Sequence, residues 1–566
     1  MNSRPCPLPR VLVPLFAALA LAAPATAAPR PAATGPAAAM DAVLKAAYPA
    51  DQPGAAAIVV KDGKVLFRKA YGMANLELGV PLQPDMVFRL GSITKQFTAV
   101  AVLMLAEEGK LSLSDPVEKF LPGYPTHGHV ITIEHLLTHS SGIQSYTGMP
   151  GWMENRIQAD LKPLELIDGF KKEPMQFAPG EQFRYNNSAY VMLGAIIEKA
   201  SGKSYEAFLQ ERIFGPLGMK GAHYGSNGPL IKGRVAGYSE HDGAVVNARY
   251  LSMTQPYSAG SLAASVDDLA AWDAALYTEK LVRQESLAKA WTPYATKDGK
   301  PTNYGYGWGI AELRGRRAIE HGGGIFGFST YATRLPDQKV YVAVLANSDS
   351  PRTDPGLVAK KLAAIAVGDP FPEPVAVKLA PEVLRRHVGV YRIDGQATRT
   401  ISLEGDKLYS QRSGGARLEI VPTSETAFFY PGSLSRLEFE VDASGRTTAM
   451  LFFADDAREP QRCERVADAV AERTVAKVDP ALYDAYVGEY ELQPGFVLSV
   501  TREGDRLMTQ ATGQAKVEVF PASETEFFLK VVDARITFVR GADGRVDSLV
   551  LHQGGRDVPA RRLPRN

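Results

Sequence analysis

The 566-residue chain has only two cysteines, and they cannot pair usefully. Cys6 precedes an apolar run, Val11 to Ala23, that reads as a removable leader, which leaves Cys463 alone and excludes an internal disulfide. Stability must then come from core size, not from cross-links. The chain also lacks a charge bias, since 63 Lys and Arg face 62 Asp and Glu for a net charge of +1. That balance gives no electrostatic footprint for nucleic acid or an anionic membrane, and fits a small-molecule or short-peptide partner. Long apolar runs are missing beyond the leader, so no transmembrane segment is expected in the mature protein.

The leader itself has recognisable parts. Arg4 and Arg10 flank its start, the apolar run is too short to span a bilayer as a mature helix, and Ala25-Thr26-Ala27 offers small residues for cleavage. Residues 1–28 are therefore expected to be a signal peptide, and the protein periplasmic or secreted. Cys6 lies ahead of the apolar run instead of after it, which argues against a lipid anchor. A chain of this length implies three to four domains; oligomeric state is not legible.

What is present is organised around Phe88-Arg89-Leu90-Gly91-Ser92-Ile93-Thr94-Lys95-Gln96-Phe97, a turn running into a helix with apolar spacing and a stop at Gly109. Ser92 and Lys95 stand one helical turn apart, on one face. A serine needs a proton acceptor beside it, and a lysine partly buried among Phe97, Ala99 and Val100 can serve, because burial disfavours its charged form. Spacing alone does not discriminate, since Ser286-Leu287-Ala288-Lys289 repeats it.

Before this helix, Gly54 to Ala70 reads as a hairpin turning at Asp62-Gly63. After it, Ile131 to Gly142 reads as a short helix. His135 and His139 lie four apart there, near His127 and His129, but Leu136 stands where zinc hydrolases place a glutamate; no metal or cofactor is expected. Pro179-Gly180 then turns the chain ahead of Tyr185-Asn186-Asn187, with a helix from about Ala189 to Lys199. A phenol at Tyr185, flanked by Lys95, is expected to ionise more readily than usual and relay a proton. The Asn187 amide can hold Lys95 and a substrate carbonyl together. Finally, His321-Gly322-Gly323-Gly324 precedes two strands, Ser329 to Pro336 and Lys339 to Asn347, where glycines let a substrate backbone approach.

Ser92-x-x-Lys95, Tyr185-x-Asn187 and His321-x-Gly323, in that order, resemble the signatures of penicillin-recognising serine hydrolases. The branch is that of class C β-lactamases, D-Ala-D-Ala carboxypeptidases, D-aminopeptidases and related esterases. His135-Leu-Leu-Thr-His139-Ser-Ser-Gly142, Phe214-Gly-Pro-Leu-Gly-Met219 and Tyr306-Gly307-Trp308-Gly309 add to the resemblance, which covers residues 40–367. It implies an α/β (α+β) domain with an antiparallel sheet and a helical region, the nucleophile helix at their junction. It also implies Ser92 as acylated nucleophile, Lys95 and Tyr185 as proton-handling partners, Asn187 as positioner, and an oxyanion held at the amides of Ser92 and Gly324, with Gly323 beside it. Many relatives carry lysine where this chain has His321. A histidine charged only in part at neutral pH is expected to bind a substrate carboxylate weakly and pH-dependently.

Beyond the proline-rich linker Pro370 to Pro374, two segments repeat at an offset of about 99 residues, seen in Gly389 and Gly488, Gly405 and Gly504, Pro422 and Pro521, and Gly445-Arg446 and Gly544-Arg545. Each alternates apolar and polar residues, so residues 376–470 and 478–566 are each expected to form a small antiparallel barrel or sandwich resembling the lipocalin-like domains of D-aminopeptidases. The chain thus reads as a serine hydrolase working through an acyl-enzyme on D-amino-acid-containing peptides, amides or esters. A class C-like β-lactamase and a non-catalytic binder of penicillin or cell-wall peptides are the alternatives.

Overall fold

The computed structural model describes residues 35–564 except 351–353, 396, 469–474, 494–495, 513, 515, 531, 542–543 and 554–555. The expected signal peptide lies outside the described residues. The frame is a six-stranded antiparallel sheet of β1 (Ala55–Lys61), β2 (Lys64–Tyr71), β3 (Gly309–Leu313), β4 (Arg316–Ile325), β5 (Phe328–Leu335) and β6 (Val340–Ala346), in the order β3-β4-β5-β6-β1-β2. The β1–β2 turn falls at Asp62-Gly63, both left-handed, as a tight hairpin requires.

Helices cover both faces, which is why β1 and β6 read as unbroken apolar runs. Ala55, Ala57 and Val59 of β1 pack with α1 (Pro36–Ala47) and α8 (Pro355–Ala366), while Ala56 and Ile58 face the larger core of the helical region. That region is inserted between β2 and β3. It contains α2 (Thr94–Glu107), α3 (Ile133–Leu137), α4 (Asn187–Ser201), α5 (Tyr257–Gly260), α6 (Val266–Ala275) and α7 (Gln284–Ala290). Thr94 to Leu105 of α2 are all buried, the polar Thr94, Lys95, Gln96 and Thr98 among them, so α2 is a central helix enclosed on every side.

Two elements differ from expectation. The helix foreseen across Ile131 to Gly142 is only α3, because His139 and Gly142 take left-handed backbone and the chain turns there to pair with Gln176, Gly180 and Arg184. A side chain at Gly142 would sit 1.9 Å from the Phe177 carbonyl oxygen. Helix α4 begins earlier than expected, at Asn187, because the Asn186 side chain accepts the Ala189 N–H at 2.9 Å and caps it.

The C-terminal repeats are two closed eight-stranded antiparallel barrels, from Gly389 to Ala467 and from Gly488 to Arg562. The duplication extends to their cores. Tyr391 sets its ring 5.7 Å from that of Phe439 and donates to the His387 carbonyl at 2.7 Å; Tyr490, beside Phe538, donates to the Tyr486 carbonyl at 2.8 Å.

Candidate active site

Ser92 lies on a single 3-10 turn, Gly91–Ile93, that feeds α2. Gly91 has φ of 53°, and its Cα abuts the backbone of Gly324 in β4. At Gly323 a Cβ would land 2.0 Å from the Leu90 carbonyl oxygen, so glycine there lets the serine turn and the strand touch. Gly324, by contrast, faces open space and borders the cavity beside Ser92. Past Glu320, β4 pairs with β5 on one side while its ladder to β3 has ended, which leaves the free strand edge against the serine turn.

Lys95 is 0% exposed. Its Nζ is 3.0 Å from Ser92 Oγ, 2.9 Å from Asn187 Oδ1 and 2.9 Å from the Ala259 carbonyl oxygen. It also sits 4.7 Å from the centre of the Tyr185 ring and 5.4 Å from that of Tyr190. None of its three hydrogen-bonding neighbours is a carboxylate, so burial alone governs it and drives its pKa well below the ordinary lysine value. Asn187, the first residue of α4, is fixed by donating to Thr147 Oγ1 at 3.0 Å and by its own N–H to Ser145 Oγ at 3.2 Å.

Tyr185 is 38% exposed, and its phenol is close enough to Ser92 to feel it. Burial raises its pKa, and the neighbouring Ser92 hydroxyl offsets this only in part. The expectation of a readily ionised phenol is therefore corrected: desolvation moves the lysine toward its basic form and holds the tyrosine in its protonated form.

His321 is 9% exposed. Burial, and then the neighbouring Lys95, lower its pKa to about 3, so the expected partial charge at neutral pH is also corrected. The imidazole is neutral. Its Nδ1 is 2.5 Å from the Gly322 carbonyl oxygen, which fixes the proton there, and Nε2 accepts from the Tyr304 phenol at 2.8 Å. Its ring centre is 6.1 Å from that of Tyr185. Ser92, Lys95, Tyr185, Asn187, His321 and Gly324 are thus brought together, with Gly323 turned to Leu90.

Sequence reasoning missed Tyr304, although it stands two residues before the Tyr306-Gly307-Trp308-Gly309 stretch already singled out. It also missed Thr147, for which no sequence signal exists. His139 is placed against the site. Its ring lies 4.3 Å from that of Tyr185, and its Nδ1 accepts the Asn186 N–H at 3.1 Å. His135 Nδ1 accepts from the Thr132 N–H in the cap of α3.

The cavity beside Ser92 holds about 310 Å³. It is walled by Tyr146, Met153, Ile157, Leu251, Pro256, Ile325 and Phe326, with Asn187 and Thr147 at its polar end and Asp349 among its lining. Tyr185 and His321 do not line it. An acyl group with an apolar side chain fits such a chamber.

Ser286, the rival serine, is placed elsewhere. It opens α7 and donates to Glu107 at 2.5 Å, and Lys289 is exposed.

Comparison with known proteins identifies a family and several relatives. The family model described as Beta-lactamase matches residues 41–366, and a domain of unknown function, DUF3471, matches residues 472–561. Penicillin-binding protein 4* of Bacillus subtilis (strain 168) is 29% identical over 419 residues, covering 70% of this chain and 92% of that protein. The D-aminopeptidase of Gluconobacter oxydans (strain 621H) is 29% identical over 335 residues, 58% of this chain but only 61% of its own length. The octameric penicillin-binding protein homologue from Pyrococcus abyssi superposes with a TM-score of 0.53 at 29% identity, over 73% of this chain and 96% of that one. The chain belongs to the beta-lactamase family and is a serine hydrolase.

Proposed function

We propose that this periplasmic or secreted enzyme hydrolyses D-amino-acid-containing peptides, amides or esters through an acyl-enzyme on Ser92. The observation that carries the reading is the fully buried Lys95 Nζ, 3.0 Å from Ser92 Oγ with no carboxylate to keep it charged. Neutral Lys95 takes the Ser92 proton as Oγ attacks the carbonyl carbon, while its own two hydrogens stay on Asn187 Oδ1 and the Ala259 carbonyl. The developing oxyanion sits between the amides of Ser92 and Gly324, each donor contributing about 3 kcal/mol in sites of this kind. Lys95 then returns the proton through the Tyr185 phenol to the leaving amine or alcohol, and water resolves the ester. Asn187 positions both the lysine and the substrate carbonyl.

The acyl side chain occupies the apolar cavity. On the leaving-group side the protein offers a neutral imidazole and a phenol, His321 and Tyr304. This disfavours substrates whose carboxylate must be anchored there, so β-lactam hydrolysis is the second reading. The D-aminopeptidase relative supports an amine-terminal substrate.

Two measurements test this. A fluorophosphonate probe should label the wild type and not Ser92→Ala. In a panel of nitrocefin, a p-nitrophenyl ester and D-Ala-p-nitroanilide, the last two should be turned over faster; strong nitrocefin turnover with silence on the others would reverse the ranking.

A further inference from the structure

The two barrels share a fold and a duplicated sequence, but their mouths differ in chemistry. In the first barrel Arg399, on the strand Thr398–Glu404, is paired in register with Arg412, on Lys407–Arg412. Both fall on the inner face, since Arg399 lies two residues from the buried Ile401, and Arg412 two from the buried Ser410 and four from the buried Leu408. Like charges directly opposite one another in a sheet are destabilising. On the outer face the charges nearby are matched, Lys407 with Glu419 at 3.1 Å and Arg417 with Glu404 at 2.5 Å. On the inner face neither arginine forms an ion pair with a carboxylate among the described residues.

Arg399 is nonetheless held in place. It donates to the Tyr430 phenol at 2.9 Å and to Ser410 Oγ at 3.2 Å, and lies 4.1 Å from the centre of the Phe452 ring. Its Nε is buried without a partner. Both arginines border a cavity of about 490 Å³ that Leu418 and Phe452 also line, as does Glu419, whose carboxylate is paired with Lys407. The second barrel shows that the fold does not require them. Ninety-nine residues on, Arg399 is replaced by Leu498, Arg412 by Ala511, Tyr430 by Leu529 and Phe452 by Leu551. Leu498 and Ala511 form the same in-register pair and pack into an apolar core.

We propose that the mouth of the first barrel is a binding site for a small carboxylate that carries an apolar group. The carboxylate lies between Arg399 and Arg412, relieving their repulsion through charge-assisted hydrogen bonds, and the apolar part lies along Leu418 and Phe452. The site is independent of Ser92 and of the substrate assigned to it.

The test is calorimetric titration of the full chain carrying Ser92→Ala with phenylacetate, its neutral counterpart phenylacetamide, and inorganic phosphate. Phenylacetate should saturate one site, raise the melting temperature, and bind about tenfold or more tighter than phenylacetamide. Arg399→Leu and Arg412→Ala, which install the second barrel's residues, should each weaken phenylacetate binding by about tenfold or more. Fluorophosphonate labelling of the same substitutions on the Ser92 background reports that they fold. Absence of saturation by phenylacetate, or equal binding by both arginine variants, overturns the site. Saturation by phosphate without saturation by phenylacetate overturns the ligand class.

Discussion

Ser92-x-x-Lys95 and Ser286-x-x-Lys289 are the same four-residue pattern in one chain, and they end in opposite circumstances. Around Ser92, a helix buried on all sides removes Lys95 from water, and only neutral oxygens meet it. Around Ser286, the hydroxyl is taken by the Glu107 carboxylate and the lysine lies in solvent. Spacing brings the two groups near each other; the surroundings decide whether the amine can act as a base.

The largest effect is expected from removing each serine in turn. Ser92→Ala should lower kcat/KM for the p-nitrophenyl ester by about 10³-fold or more, with loss of fluorophosphonate labelling, while Ser286→Ala should leave both unchanged. Retained turnover in Ser92→Ala with loss in Ser286→Ala would sink the assignment.

The lysines give the next effect. Lys95→Met should lower kcat by roughly 10² to 10⁴-fold, and Lys289→Met should not change it. The pH dependence carries a sign. Acylation needs neutral Lys95, so kcat/KM should rise with pH through the depressed Lys95 value and level off below the ordinary lysine range. For stability, the unfolded chain holds one more proton at this lysine than the folded chain across the window between the two values. Stability from this group therefore increases with pH there and is lost as pH falls through the folded value. In Lys95→Met, that part of the slope in a urea-melt series should vanish.

How much of this was legible follows the same division. The hairpin at Asp62-Gly63, the nucleophile helix and the duplicated β segments were readable because local rules fix them: turn chemistry, apolar spacing and an offset of about 99 residues. The barrels were legible as well, as barrel or sandwich, from alternating apolar and polar residues, and the structure has barrels; the register that closes them was not, since it pairs the first strand with the last across some 75 residues, between Val390 and Ala467 in the first copy. The site motifs could be placed in order, but not the sense of their titrations. Tyr185 was expected to ionise easily and His321 to be partly charged, and both errors arise from burial. Desolvation by α2, α4 and the Tyr304 loop is a property of the assembled core, invisible in a tripeptide.

His321 offers a smaller and sharper test. With its pKa lowered to about 3, it should contribute no limb to the kcat/KM profile between about pH 5 and 8, where an unperturbed imidazole titrates. Tyr304→Phe removes the donor at Nε2 and should raise KM for substrates with a polar leaving group by about tenfold at most, with kcat little altered. A limb near pH 6.5 in the wild type that disappears in His321→Gln would show that the imidazole is charged in the working enzyme after all.

The smallest effect is expected back at the rival motif. Ser286 and the Arg283 N–H both donate to Glu107 Oε1, at 2.5 and 2.9 Å, tying the first turn of α7 to the end of α2. Desolvation opposes ionisation of Glu107, but these donors outweigh it and hold its pKa below the ordinary carboxylate value. A depressed acid stabilises the fold above its unfolded pKa and loses that contribution as pH falls through the folded one. Ser286→Ala should therefore lower the unfolding free energy by about 1 kcal/mol at neutral pH, with the deficit shrinking toward acid, and leave turnover as it was. A serine whose hydroxyl is spent on a carboxylate has a structural consequence and no chemical one, which is the converse of what Ser92→Ala should reveal.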